Sequence, residues 1–252
     1  GELVSSNRRA GADRRRDLPV DRRALSAGTA AHGARQALHR QALAPARRPP
    51  QRPSRSSLAA GGARLPPTVL KEGPLGAGSV QLWIDSVEEG SRTLVDVATR
   101  AELAPGWLPV FEAELNDGTA VVVAHADRPE LASAAVFDVV INNADRKGSH
   151  LVVDGSGSVW GFDHGLCGHS QPKLRTVLWG WVGTPLPDAD LDRLEALSGW
   201  LGDSRSSLSR TIEVLLSPAE IEALVRRVAK LLTTGLFPGP NGRGPAVPWP
   251  PL

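Results

Sequence analysis

The chain has 252 residues, of which 29 are Lys or Arg and 27 are Asp or Glu, for a formal net charge of +2. That length holds one large domain or two small lobes, and no apolar run reaches the roughly 18 residues of a membrane span. A single cysteine, Cys167, excludes an intramolecular disulfide and fits a reducing, cytoplasmic setting.

The charge is unevenly spread. Residues 1–64 hold 14 Arg and four acids, a net +10, which leaves −8 on the rest of the chain. They contain no Lys, Ile, Phe or Trp and no apolar h-region of a secretory signal. Such a segment buries too little apolar surface to offset the entropy of ordering its backbone. It reads as disordered or marginally helical, or as coding sequence translated out of frame. A basic arm for nucleic acid or anionic lipid is the less favoured reading, and nucleic acid is not an expected partner.

Residues 65–84 read as a β-hairpin, with strands over 68–71 and 80–84 and a connection rich in Gly from Gly73 to Gly78. No Lys-Ser/Thr follows those glycines, so they are turn residues rather than a phosphate loop. Residues 91–102 are expected to form a helix. Strands over 107–115 and 119–124 flank Asn116-Asp117-Gly118, a hairpin signal. Residues 129–142 give the strongest helix before the central loop, with Pro129 in its first turn and Leu131, Ala135 and Val139 on one stripe.

The stretch 136–169 carries the candidate chemistry. The helix feeds a polar loop, 142–150, and a short strand over 151–153 follows. Asp154-Gly155-Ser156-Gly157 turns the chain into a return strand over 159–162, which Asp163-His164-Gly165 closes. Asp145 and Asp163 therefore fall at the same end of one hairpin. Two carboxylates so placed suit a site in which one orients a nucleophile and the other holds a metal. His164-x-x-Cys167-x-His169, with His150 across the hairpin, also offers zinc donors, although at no standard structural spacing. On that alternative the chain is a metal-dependent hydrolase.

Asp138-x-x-Ile141-x-Asn143-x-Asp145-Arg146 resembles the catalytic loop of the phosphatidylinositol 3-/4-kinase-like superfamily, particularly the type II 4-kinases. Phe162-Asp163-His164-Gly165-Leu166 resembles their metal-binding motif. The longer text, including residues 174–181, is similar to an actinobacterial kinase-related family, and the resemblance spans about residues 65–238. It implies an α+β, protein-kinase-like two-lobed fold with a mostly helical second lobe over 85–238. The first lobe is incomplete or disordered, represented only by 65–84. The implied activity is transfer of the ATP γ-phosphoryl group to a hydroxyl of a lipid, small alcohol or protein.

On this resemblance Asp145 and Arg146 are catalytic, Arg146 by ordering the loop. Asp163 and the residue five beyond Asp145 hold Mg²⁺, and Gln81, Leu82, Trp83 and Ile84 form the adenine hinge. That fifth residue is usually Asn; here it is His150. Trp83 is equally readable as a core residue. The Lys that pairs the phosphates in such enzymes has no counterpart before Lys71. A non-catalytic nucleotide-binding or scaffolding module is therefore the rival reading.

Beyond the site, Lys173 and Arg175 read as a solvated loop and Trp179 and Trp181 as core. Residues 188–200 form a helix with Leu191, Leu194 and Leu197 inward. Ser217-Pro218-Ala219-Glu220 is a capping box opening a helix to about Thr234. That helix buries Ile221, Leu224, Val225, Val228 and Leu231. The Pro- and Gly-rich residues from Phe237 onward read as a tail, with 239–252 outside the domain.

Overall fold

The computed structural model describes residues 64–74, 76–87, 94–242 and 244–252. The expectations for residues 1–63 lie outside them. Four α-helices and three small antiparallel sheets make up the described fold.

Strands β1 (Thr68–Gly73) and β2 (Gly76–Gln81) pair from Thr68 opposite Gln81 to Gly73 opposite Gly76. The hairpin expected over 65–84 thus forms, but with a tighter turn. Gly76, at φ 100°, takes a conformation that a side chain would oppose, so the reversal is finished there and Gly78 already lies in a strand. The second strand ends at Gln81, short of the expected Ile84. Val69, Val80, Leu82 and Trp83 are exposed, so Trp83 is not a core residue.

The second sheet has the order β3-β5-β4, built from β3 (Val95–Ala98), β4 (Trp107–Glu114) and β5 (Ala120–Ala126). A helix is expected over 91–102; residues 91–93 lie outside the described residues, and 94–102 form a strand and a turn instead. Val95 and Val97 are β-branched, and pairing with β5 outweighs a weak helical spacing. The turn is closed by Glu102, whose carboxylate accepts from the backbone N–H and hydroxyl of Thr99 at 3.0 and 2.8 Å. The Asp117-Gly118 turn joins β4 and β5 as expected. Central β5 is buried from Val121 to Ala126. Pro109 sits on the edge strand β4, where the register slips before Phe111; edges and bulges are where a residue without an N–H is tolerated.

Helix α1 (Pro129–Ile141) begins on proline and stops at Asn142, which is left-handed at φ 54° and donates its N–H back into the last turn. A loop, one 3-10 turn (Gly148–His150) and the hairpin β6 (Leu151–Val153) and β7 (Val159–Gly161) follow. Arg64 bridges to Trp160 on one side of this small sheet and Ser86 to Asp154 on the other.

Helices α2 (Asp188–Gly202), α3 (Ser207–Leu215) and α4 (Pro218–Thr234) complete the fold. The capping box at Ser217 forms, and Gly235 ends α4 in the left-handed region. Within α4 the inward stripe is narrower than expected. Leu224, Val228 and Leu231 are buried, whereas Val225, one position round the helix, is exposed. Helix α3 has no counterpart in the sequence reading. It is short, and its apolar stripe is only Leu208, Ile212 and Leu215.

The terminal Pro-rich residues pack against the domain. The Ala246 carbonyl accepts from Thr176 N–H at 3.1 Å and from the Trp179 indole at 2.9 Å. The Pro251 carbonyl accepts from Gly148 N–H at 2.8 Å. Proline lacks a donor but keeps its carbonyl, and a pre-set φ lowers the entropy lost on docking.

His125 on β5 is fully buried against Trp181, ring centroids 4.3 Å apart. Gly180 N–H donates to its Nε2 at 2.9 Å, so its own proton sits on Nδ1, facing the Ala126 carbonyl at 3.0 Å. Burial pushes its pKa down from 6.5 to about 4. The unfolded chain therefore takes up a proton near pH 6.5 that the native state refuses. The stability His125 contributes is complete above pH 6.5 and is lost as the pH falls toward 4. His125→Gln should flatten the urea midpoint across that window; an equally steep decline in the variant would place the acid sensitivity elsewhere. Gly180→Ala should cost about 1–3 kcal/mol, because a Cβ there lies 2.5 Å from Leu108 Cβ and 2.6 Å from His125 Nε2. Denaturant melts of the two proteins test it.

Candidate functional site

The loop after α1 is fixed from within the helix. Asp138, with no solvent exposure, sits in the apolar run that ends α1. Its Oδ2 accepts from Arg146 Nε at 2.9 Å and its Oδ1 from Arg146 Nη2 at 3.0 Å. Arg146 is only 1% exposed. Its Nη1 donates to the Phe162 carbonyl at 3.0 Å and the His150 carbonyl at 3.3 Å, and Nη2 also meets His164 Nε2. All five guanidinium N–H groups thus have acceptors, which a buried arginine requires. Because arginine can only donate, His164 must accept through Nε2 and carry its proton on Nδ1.

Asn143 joins the same cluster. Its amide donates to Asp138 Oδ1 at 2.9 Å, and its side-chain oxygen accepts from the backbone N–H of Asp145 at 3.0 Å. Asn142 spends its side chain on the other wall: it donates to the His169 and Gln171 carbonyls and accepts from Lys173 N–H. Backbone bonds between Arg146 and residues 175 and 177 lay the loop along the segment that leads to Trp179.

The clamp leaves Asp145, Lys147, His150 and Asp163 at the surface of the cluster. Lys147 Nζ lies 3.6 Å from Asp145 Oδ2, both half-buried. His150 Nε2 lies 3.4 Å from Asp163 Oδ2. Burial holds the His150 pKa below its ordinary value, and the charges of Asp163 and Asp145 oppose that shift. His150 meets Asp163 directly and feels the charge of Asp145. His150 Nδ1 is buried without a hydrogen-bond partner. Asp163 has φ 54°, a left-handed backbone that glycine takes freely and Asn and Asp more readily than other side chains, and its side chain is 54% exposed. Strained non-glycine residues of this kind concentrate at functional sites.

The other sequence-derived candidates fall differently. Gln81 is the last residue of β2, and its amide donates to Thr68 Oγ1 at 3.0 Å. The Leu82 N–H is taken by the Pro67 carbonyl at 2.8 Å, Trp83 is 84% exposed and Ile84 is half-buried. Among the described residues no three His, Cys, Asp or Glu converge on a metal position. His164 is engaged by Arg146, and the Cys167 thiol donates to the His164 carbonyl. Two contributors have no role in the sequence reading. Asp138 opens the motif quoted there, and as an acid inside an apolar helical run it needs a partner once buried. Lys147 carried no pattern signal beyond its place next to Arg146.

Asp138→Asn removes the charge opposite a buried guanidinium. It should cost about 3–5 kcal/mol, read as a lowered urea midpoint. Arg146→Lys should be nearly as costly, because an ammonium cannot reproduce the five directed donors. A lysine variant of native stability would show that the clamp is dispensable.

No family model matches the chain, and no solved structure matches it. Protein Rv2133c of Mycobacterium tuberculosis is 44% identical over 193 residues, covering 74% of this chain and 68% of that protein. Identity of that extent across most of both chains reflects common descent, and the chain belongs to the family of Protein Rv2133c.

Proposed function

We propose that the chain is a kinase-like phosphotransferase, using ATP to phosphorylate a hydroxyl of a lipid, small alcohol or protein. The observation that carries this reading is the placement of Asp163. It stands in a left-handed backbone with its carboxylate open to solvent, beside the loop bearing Asp145, and one buried guanidinium holds both segments. Asp145 orients the acceptor hydroxyl and takes its proton. Arg146, being buried, is a positioning residue and touches no substrate. The architecture proposed with it is a protein-kinase-like two-lobed fold in the cytoplasm, with 65–84 as the surviving part of the first lobe.

Such enzymes employ Mg²⁺, which neutralises charge on the phosphates when bound. The Asp163 carboxylate fits an ion that takes oxygen ligands; the His150 imidazole does not. For ATP, the open face of Trp83 supports stacking of a base next to Gln81–Ile84, while the Leu82 N–H is already taken by Pro67. A second reading, nucleotide binding without transfer, is favoured by one observation. Lys147, the cation nearest in sequence to Asp145, is paired with that carboxylate and does not stand ready for the phosphates.

Asp145→Asn should lower ADP release about 10²–10⁴-fold while leaving nucleotide affinity unchanged. Asp163→Asn should remove the divalent-ion dependence of ATP binding in calorimetry. ATP bound by the wild type without ADP release would favour the binding-only reading, turnover surviving in the Asp145 variant would remove Asp145 from the chemistry, and ATP affinity indifferent to Asp163 would remove the metal role.

A further inference from the structure

The residues beside Asp163 disagree with the ion expected there, and the disagreement is informative. We infer that Asp163 and His150 form a mixed oxygen and nitrogen half-site for a first-row transition ion, in preference to Mg²⁺. The inference rests on the assignment of Asp163 above but concerns the identity of the ion.

Geometry comes first. Two donors each about 2.1 Å from one ion, at right angles, stand about 3 Å apart. His150 Nε2 and Asp163 Oδ2 are 3.4 Å apart, so a shift of a few tenths of an ångström seats both on one ion. Asp163 is more than half exposed and can make that shift, whereas His150 is held in the 3-10 turn with its carbonyl bound to Arg146.

Donor chemistry comes second. The imidazole is buried, and in its neutral form it offers a lone pair. Nε2 is the atom that faces Asp163 and is the nitrogen placed for a ligand; the ring proton then lies on the buried Nδ1. Mg²⁺ gives up water reluctantly and takes oxygen, whereas imidazole nitrogen favours ions later in the Irving–Williams order. No third His, Cys, Asp or Glu completes the set among the described residues. The protein therefore supplies two donors, and water or phosphate oxygens fill the rest. Such a site is labile, unlike a closed structural zinc centre.

The test uses the full chain with Mn²⁺, Co²⁺ and Mg²⁺ as probes, with and without ATP. Binding is read by the free-Mn²⁺ paramagnetic resonance signal and by competition with the other two ions. Wild type should favour Mn²⁺ over Mg²⁺ by about tenfold or more, and Co²⁺ over Mn²⁺. Bound Mn²⁺ should show ¹⁴N coupling from one imidazole. His150→Asn should retain binding, lose the coupling and shrink the Mn²⁺ preference to about threefold or less; His150→Gln serves if the asparagine variant is unstable. Absence of ¹⁴N coupling in wild type, or an unchanged Mn²⁺ to Mg²⁺ ratio in a folded His150 variant, overturns the inference. Nitrogen-ligated ion binding without nucleotide binding would sustain it while removing the phosphotransfer reading. ADP release with Mg²⁺ and no imidazole coupling would do the reverse.

Discussion

The pairing of Asp138 with Arg146 is the constraint on which the rest of the site depends. Neither charge has water, so each is tolerable only because the other is there. A buried ion pair is a poor source of net stability, since desolvation consumes much of the Coulombic gain. It is a strong source of geometric selection, because any arrangement that separates the partners strands a charge. Here that selection is spent on a loop. The guanidinium ties the last turns of α1 to the entrance of β6 and the exit of β7.

The same logic operates at the sheet. His125 is a polar ring inside an apolar core, made acceptable by a donor at Gly180 and an acceptor at Ala126. Gly180 is required to be small because the ring and Leu108 occupy the space of its Cβ. Trp181 follows at once and stacks between His125 and Phe237. The sequence Trp179-Gly180-Trp181 is therefore one device: the glycine admits the histidine, Trp181 covers it, and Trp179 reaches the terminal segment through Ala246. Through Thr176, Ala246 and Gly148 the terminal segment closes over the loop that Arg146 holds from below.

Much of this was legible where local rules and burial agree. Helix α1, the Asp117-Gly118 hairpin, the β6–β7 hairpin and the Ser217 capping box each carry a pattern of period, turn residue and cap that has one reading. Misreadings arose where tertiary pairing decided. Residues 94–102 have no strong local preference, and β5 selects the strand. The terminal prolines look like a tail because their value lies in carbonyl acceptors, which composition does not display. In the site, the sequence pointed to Asp145, His150 and Asp163 and gave Arg146 the task of ordering the loop. Its burial, and the acid eight residues before it, show how it does so. Lys147 was missed because nothing in a linear pattern distinguishes a lysine beside a carboxylate from one in solvent.

The carbonyls that Arg146 holds are those of His150 and Phe162, and the second precedes Asp163. One guanidinium therefore fixes the backbone at the two residues whose side chains face each other across 3.4 Å. Their spacing is set by a planar group with rigid donor directions rather than by the flexible ends of two strands. This also accounts for the left-handed Asp163. With the Phe162 carbonyl committed inward to Arg146 and the His164 ring committed to the same guanidinium, the chain must reverse between them, and it does so at the single residue whose carboxylate then projects outward. The left-handed Asp163 and the buried Arg146 meet in one arrangement, which holds a carboxylate and an imidazole 3.4 Å apart.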